Sequence, residues 1–104
     1  MEAILRTATG LSAAVSIAYK AVISLGYSRQ QLVDENLGVN HNTLRRIHDG
    51  EARKPMTDQF YLQLFLKILE AEYQRRIANG ADGAGEILRI MRIILLTEHD
   101  IAID

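Results

Sequence analysis

Proline occurs once in the chain, at Pro55, and no stretch alternates β-branched with polar residues. Helix therefore has no sustained competitor, and the architecture is decided by where helices must stop. The stops carry glycine: Ser24-Leu25-Gly26-Tyr27, Gly38, Gly50, and the run Asn79-Gly80-Ala81-Asp82-Gly83-Ala84-Gly85. With Pro55 they divide the chain into five helical stretches, an all-α fold. At 104 residues, 48% hydrophobic and 24% charged, the material suffices for one core and one domain over 1–104.

The first helix is expected from Ser12 to about Leu25, with Val15, Ala18, Tyr19, Val22 and Ile23 forming an apolar stripe. Ser28, followed by Gln31, reads as a capping box opening a short helix from Arg29 to about Asn36, which turns Leu32 and Val33 inward. Gly38 supplies a tight turn, with Leu37 and Val39 expected to be buried on either side of it. Asn40 caps a third helix through Asp49, Leu44 and Ile47 share its inner face, and Gly50 ends it. Two short helices across a glycine-bearing turn, at about 28–50, have the form of a helix-turn-helix. After a polar loop from Glu51 to Met56, Thr57 is the expected cap of a long helix at about 57–78. Its stripe is Phe60, Leu64, Ile68 and, at its end, Ala71, with Tyr61, Phe65, Leu69 and Glu72 beside it. The Asn79–Gly85 run is a break or hinge before a last helix at about 86–97.

Several function classes find no support. The absence of cysteine removes disulfides, thiol nucleophiles and cysteine metal sites. Ser12, Ser16, Ser24 and Ser28 have no histidine–carboxylate partner at a telling spacing, so no enzyme and no cofactor is expected. Gly80, Gly83 and Gly85 lack the preceding strand and following Lys-Ser/Thr of a phosphate cradle. His41 and His48 lie two helical turns apart, roughly 10 Å, and Asp49 is expected to point elsewhere, so no metal site is read there. His99 suits a helix C-terminus. The longest apolar run, Ile93 to Leu96, is far below the roughly 20 residues of a membrane span. Met1 to Gly10 contains Glu2 and Arg6 and no apolar core, so no signal peptide is read and a cytoplasmic protein is expected.

The segment SRQQLVDENLGVNHNTLRRIHDGEARKP, Ser28 to Pro55, resembles the phage-repressor and Xre-type DNA-binding family. Gly38-Val39, Asn40, Thr43-Leu44, Arg46-Ile47 and Gly50 stand at that family's spacing, and Pro55 after Arg53 and Lys54 matches some repressors. The resemblance covers 28 of 104 residues. It implies a lambda-repressor-like helix-turn-helix with a C-terminal helical extension, in which the helix ending at Gly50 is the recognition helix. By position, His41, Asn42 and Arg46 would read bases, while Arg29, Asn40 and Arg45 would touch the backbone. The chain departs from the pattern at Asp34-Glu35-Asn36-Leu37, which places one extra residue before Gly38, and at Arg29, where glutamine is common.

Local charge agrees with a DNA partner. The chain carries a net charge of −1, yet residues 38–54 hold Arg45, Arg46, Arg53 and Lys54 against Asp49 and Glu51. Asn and Arg side chains can form bidentate bonds to adenine and guanine edges, and Arg53 and Lys54 suit phosphate oxygens. The reading is a sequence-specific double-stranded DNA-binding protein, a transcriptional regulator. A single recognition helix contacts few base pairs, so a homodimer is expected. Eight of the ten positions from Ile87 to Leu96 are apolar, interrupted only by Arg89 and Arg92. That surplus nominates Ile87, Ile90, Met91, Ile94 and Leu95 for dimerisation, against the alternative that this helix is sequestered within the monomer core. A protein-binding adaptor on the same helical fold is the competing reading.

Overall fold

The computed structural model describes the backbone of residues 2–51, 53–80 and 82–99, and the side chains in those spans from residue 10 onward. Five helices follow one another: α1 (Glu2–Ser24), α2 (Arg29–Glu35), α3 (His41–Asp49), α4 (Pro55–Ala78) and α5 (Ala84–Glu98). Ala52, in the loop before α4, and Ala81, in the expected hinge, lie outside the described residues. The all-α, five-helix domain expected from the sequence is the observed architecture. Among the described residues, no single helix is long and apolar enough to cross a membrane.

The hub is α1, which packs against α3, α4 and α5. Ala14, Val15, Ala18, Tyr19 and Val22 form its buried stripe, and Ile23 packs against the core from its edge. The helix begins at Glu2 rather than Ser12. Nothing between the two residues breaks a helix except Gly10, and an interior glycine costs only about 1 kcal/mol. At the other end the chain turns through 101° into α2.

Three further expectations are corrected. Pro55 opens α4 at its first turn, and Lys54 before it is extended (φ −69°, ψ 142°), so Thr57 lies inside the helix and caps nothing. The buried face of α4 is Asp58, Tyr61, Leu62, Phe65, Leu69 and Glu72, one residue later than the expected stripe, which rotates the helix by roughly 100°. Phe60 is exposed, and Leu64 and Ile68 sit on the flank of the core. Gln59, Gln63, Lys67, Glu70 and Gln74, all exposed, form a polar face opposite the buried one, so the polar periodicity marks the observed phase better than the expected apolar stripe did; α1 and α5 cover the side turned from it. Lastly, α5 packs on both α1 and α4, and Ile87 and Ile94 are buried within the monomer.

α4 carries two buried acids, Asp58 and Glu72, and Glu72 is held by two arginines of its own helix. Glu72 accepts from Arg75 Nε at 3.1 Å and Nη2 at 2.6 and 2.7 Å, and from Arg76 Nε at 3.0 Å. The Arg75 hydrogen bonds foremost, then those of Arg76, hold the Glu72 carboxyl below the usual glutamate range against the opposing effect of burial.

Candidate nucleic-acid interface

α3 is a nine-residue helix, too short to be stable alone, and polar contacts fasten it at both ends. At its start Asn40 Oδ1 accepts from Thr43 N–H at 2.9 Å, the expected N-cap. The Asn40 backbone N–H donates to Tyr61 Oη at 3.2 Å, which ties the cap to α4. At its end Gly50 takes the left-handed conformation (φ +72°), which a residue with a Cβ adopts only at a cost. That geometry lets Gly50 N–H reach Ile47 O at 3.3 Å and Glu51 N–H reach Arg46 O at 2.9 Å, the paired bonds of a Schellman cap. Ser16 Oγ on α1 donates to Ile47 O at 3.2 Å. Leu44 and Ile47, both fully buried, supply the apolar anchor between the caps.

Arg53 completes the brace. It stands in the loop, as expected, but its side chain is only 2% exposed and turned inward. Nε pairs with Asp58 on α4, Nη1 donates to Glu51 O at 2.7 Å and Arg46 O at 3.2 Å, and Nη2 donates to Ser12 Oγ on α1 at 2.9 Å. One guanidinium thus joins α1, α4 and the C-terminal carbonyls of α3, where positive charge is also favoured by the helix dipole. The assignment of Arg53 to the DNA backbone is corrected to this internal role. Its signal in the sequence was weak: an Arg and an Asp five apart across a proline, on no common periodicity.

The turn ahead of α3 extrudes one residue. α2 ends at Glu35, Asn36 Nδ2 donates back to Leu32 O at 2.9 Å, and Val39 N–H bonds Asn36 O at 3.3 Å. Leu37 is left fully exposed, contrary to the burial expected of it, while Val39 is buried as expected. Gly38 beside it has φ +90° and lies against the Phe60 ring, which a Cβ there would approach to 3.3 Å.

With the inner face spoken for, His41, Asn42, Arg45 and Arg46 are exposed together on α3. At roughly 100° per residue, Asn42 lies near the middle of this face with Arg45 and Arg46 on either side. Arg46 and Lys54 are exposed and have no carboxylate within ion-pair distance among the described residues. Arg45 is 3.7 Å from both Asp49 and Glu51, exposed pairs of small energetic weight that water and phosphate readily replace. His41 Nε2 lies 3.2 Å from Gln30 Oε1, which brings Gln30 of α2 onto the same surface, a neighbour that the sequence pattern did not single out. Asn40 keeps only Nδ2 free of the cap. Arg29 stands apart: it is half-buried, and its Nε donates to Tyr19 Oη at 3.1 Å. His48 Nδ1 lies 3.1 Å from Asp49 Oδ1, so that carboxylate does turn toward a histidine.

No family model matches the chain, and searches of the curated proteins and of the solved structures likewise return no match.

Proposed function

We propose that the chain is a sequence-specific double-stranded DNA-binding protein, a transcriptional regulator that works by occupying its site without chemistry. α2 and α3 act as a helix-turn-helix and α3 enters the major groove. The observation that carries this reading is the exposed Asn42, flanked by Arg45 and Arg46, on a helix braced at both ends. A bidentate contact is worth about 1–3 kcal/mol only when its donor is held in place, and short fastened helices hold donors well. Lys54, with Arg46 and Arg45, would contribute the salt-dependent backbone term.

Pairing would extend the site. Leu88 and Leu95, 49% and 44% exposed, lie one heptad apart on α5 with half-buried Met91 between them. This strip, rather than the internal Ile87 and Ile94, would form a two-fold seam. Sedimentation equilibrium reads it directly: a mass of 11.7 kDa at all micromolar concentrations rules the dimer out.

A second reading, a protein-binding adaptor, is favoured by one specific observation. Leu37 is fully exposed, and Met56 and Phe60, four residues apart on α4, are exposed too. Selection from a random duplex library at fixed salt decides between them. Enrichment of a defined motif supports the DNA reading, and recovery of unselected sequence alone discards it.

A further inference from the structure

On the flank of α3 away from Arg46, a cleft of about 460 Å³ opens between the end of α1, the start of α2 and the end of α3. Its walls are largely apolar, formed by Tyr19, Ile23 and Tyr27, and its polar lining includes Lys20, Arg29 and His48. No acidic residue lines it, although the chain as a whole carries a net charge of −1. Arg29 is held by one bond, Nε to Tyr19 Oη at 3.1 Å, and its Nη groups have no partner among the described residues. His48 stands edge-on to the Tyr19 ring with centroids 6.5 Å apart, and its Nδ1 is turned to Asp49. A volume within roughly 300–1,000 Å³, apolar walls and a few convergent donors are the features of a small-molecule site.

We propose that this cleft binds a small aromatic carboxylate, its ring against Ile23 and Tyr27 over the floor made by Tyr19, and its carboxylate on Arg29 and Lys20. A planar guanidinium with free Nη groups suits a carboxylate, and the apolar wall has no use for a bare phosphate. A ligand seated there bridges α1 to the end of α3, the helix that carries Arg45 and Arg46, so it changes DNA affinity; this regulatory consequence, unlike the binding, rests on the DNA reading.

The test is titration of the full-length protein with benzoate, salicylate, 4-hydroxyphenylacetate, indole-3-acetate and 1-naphthoate, each beside its neutral amide and beside inorganic phosphate. Amide ¹H–¹⁵N shifts report the site. At least one acid saturates with a Kd of about 0.1–1 mM, as expected for roughly ten heavy atoms, moving resonances in 19–29 and at His48. Its amide binds at least about tenfold more weakly, and Lys20→Met weakens the acid about fivefold with an unchanged Tm. The proposal is overturned by no saturation up to about 10 mM, by amides or phosphate binding as well as the acids, or by shifts that map elsewhere. The saturating acid is then added to a complex with the selected duplex. Unchanged DNA affinity removes the effector role, whereas a protein that binds no duplex but still binds the acid fails only the DNA reading.

Discussion

α3 and α5 both lie on the outside of the molecule, and different physics holds each in place. α3 has nine residues and two buried side chains, and its ends are fastened by Asn40, Gly50, Ser16 and Arg53. α5 has fifteen residues, starts at Gly83 without a side-chain cap, and is held by apolar contact with α1 and α4. A hydrogen bond has direction and fixes rotation about the helix axis, whereas apolar burial is non-directional and accepts any face that fits. The shorter helix is therefore the more sharply oriented one, and its outer face is left to polar side chains.

The buried ion pair offers the hardest blow to this contrast. Arg53→Met should destabilise by about 3–5 kcal/mol, because Asp58 is left buried and unpaired. The double variant Arg53→Met/Asp58→Leu should recover much of that, while amide exchange at the end of α3 stays faster than in the parent. Denaturant unfolding measures the first effect. A cost under about 1 kcal/mol would place the guanidinium in water and dissolve the brace.

Apolar anchoring comes next. Leu44→Ala and Ile94→Ala should each cost about 2–4 kcal/mol, since both side chains are fully buried. Leu95→Ala, at a 44% exposed neighbour of Ile94, should cost well below either in the monomer. Equal losses at Ile94 and Leu95 would show that α5 is rotated from the position described.

The outer face of α3 is tested by reading against positioning. Arg46→Ala should cost about 1–3 kcal/mol on a selected duplex and relax preference at one base pair. Lys54→Ala should weaken all duplexes alike and lower the salt slope by about one unit. Arg53→Met/Asp58→Leu, in contrast, should blur preference by loosening α3. Titrations at several salt concentrations separate the three, and affinity indifferent to both exposed cations refutes the DNA face.

The smallest effect concerns Glu72. Its carboxyl is held below the ordinary glutamate value by Arg75 and Arg76, so the unfolded chain takes up a proton at higher pH than the folded one. The stabilisation is complete above the usual glutamate range and is lost as pH falls through the depressed folded value. Thermal unfolding of Glu72→Gln and the parent should differ at neutral pH and converge in acid. A gap independent of pH would assign the loss to packing instead.

Much of the α3 region was legible in the sequence because its determinants are local. Ser28, Asn40 and Gly50 act on backbone within a turn of themselves, and Leu44 and Ile47 are the apolar residues of an otherwise polar helix, so only one face could turn inward. The outward set His41, Asn42, Arg45 and Arg46 follows from the same fact. Leu37 was misread because an apolar letter in a turn does not say which way it points, and here the turn places Val39 inside and Leu37 in water.

What the sequence by itself determined is the all-α class, the number of helices, the caps around α3 and the side of α3 that faces water. Only the tertiary structure decided the internal duty of Arg53, how far the flanks of α4 are covered, and which α5 residues remain outside. Caps and glycine turns act over a few residues and are written in consecutive letters. Which apolar residues beside a polar face are covered, and the partner of a buried charge, depend on surfaces brought from distant parts of the chain.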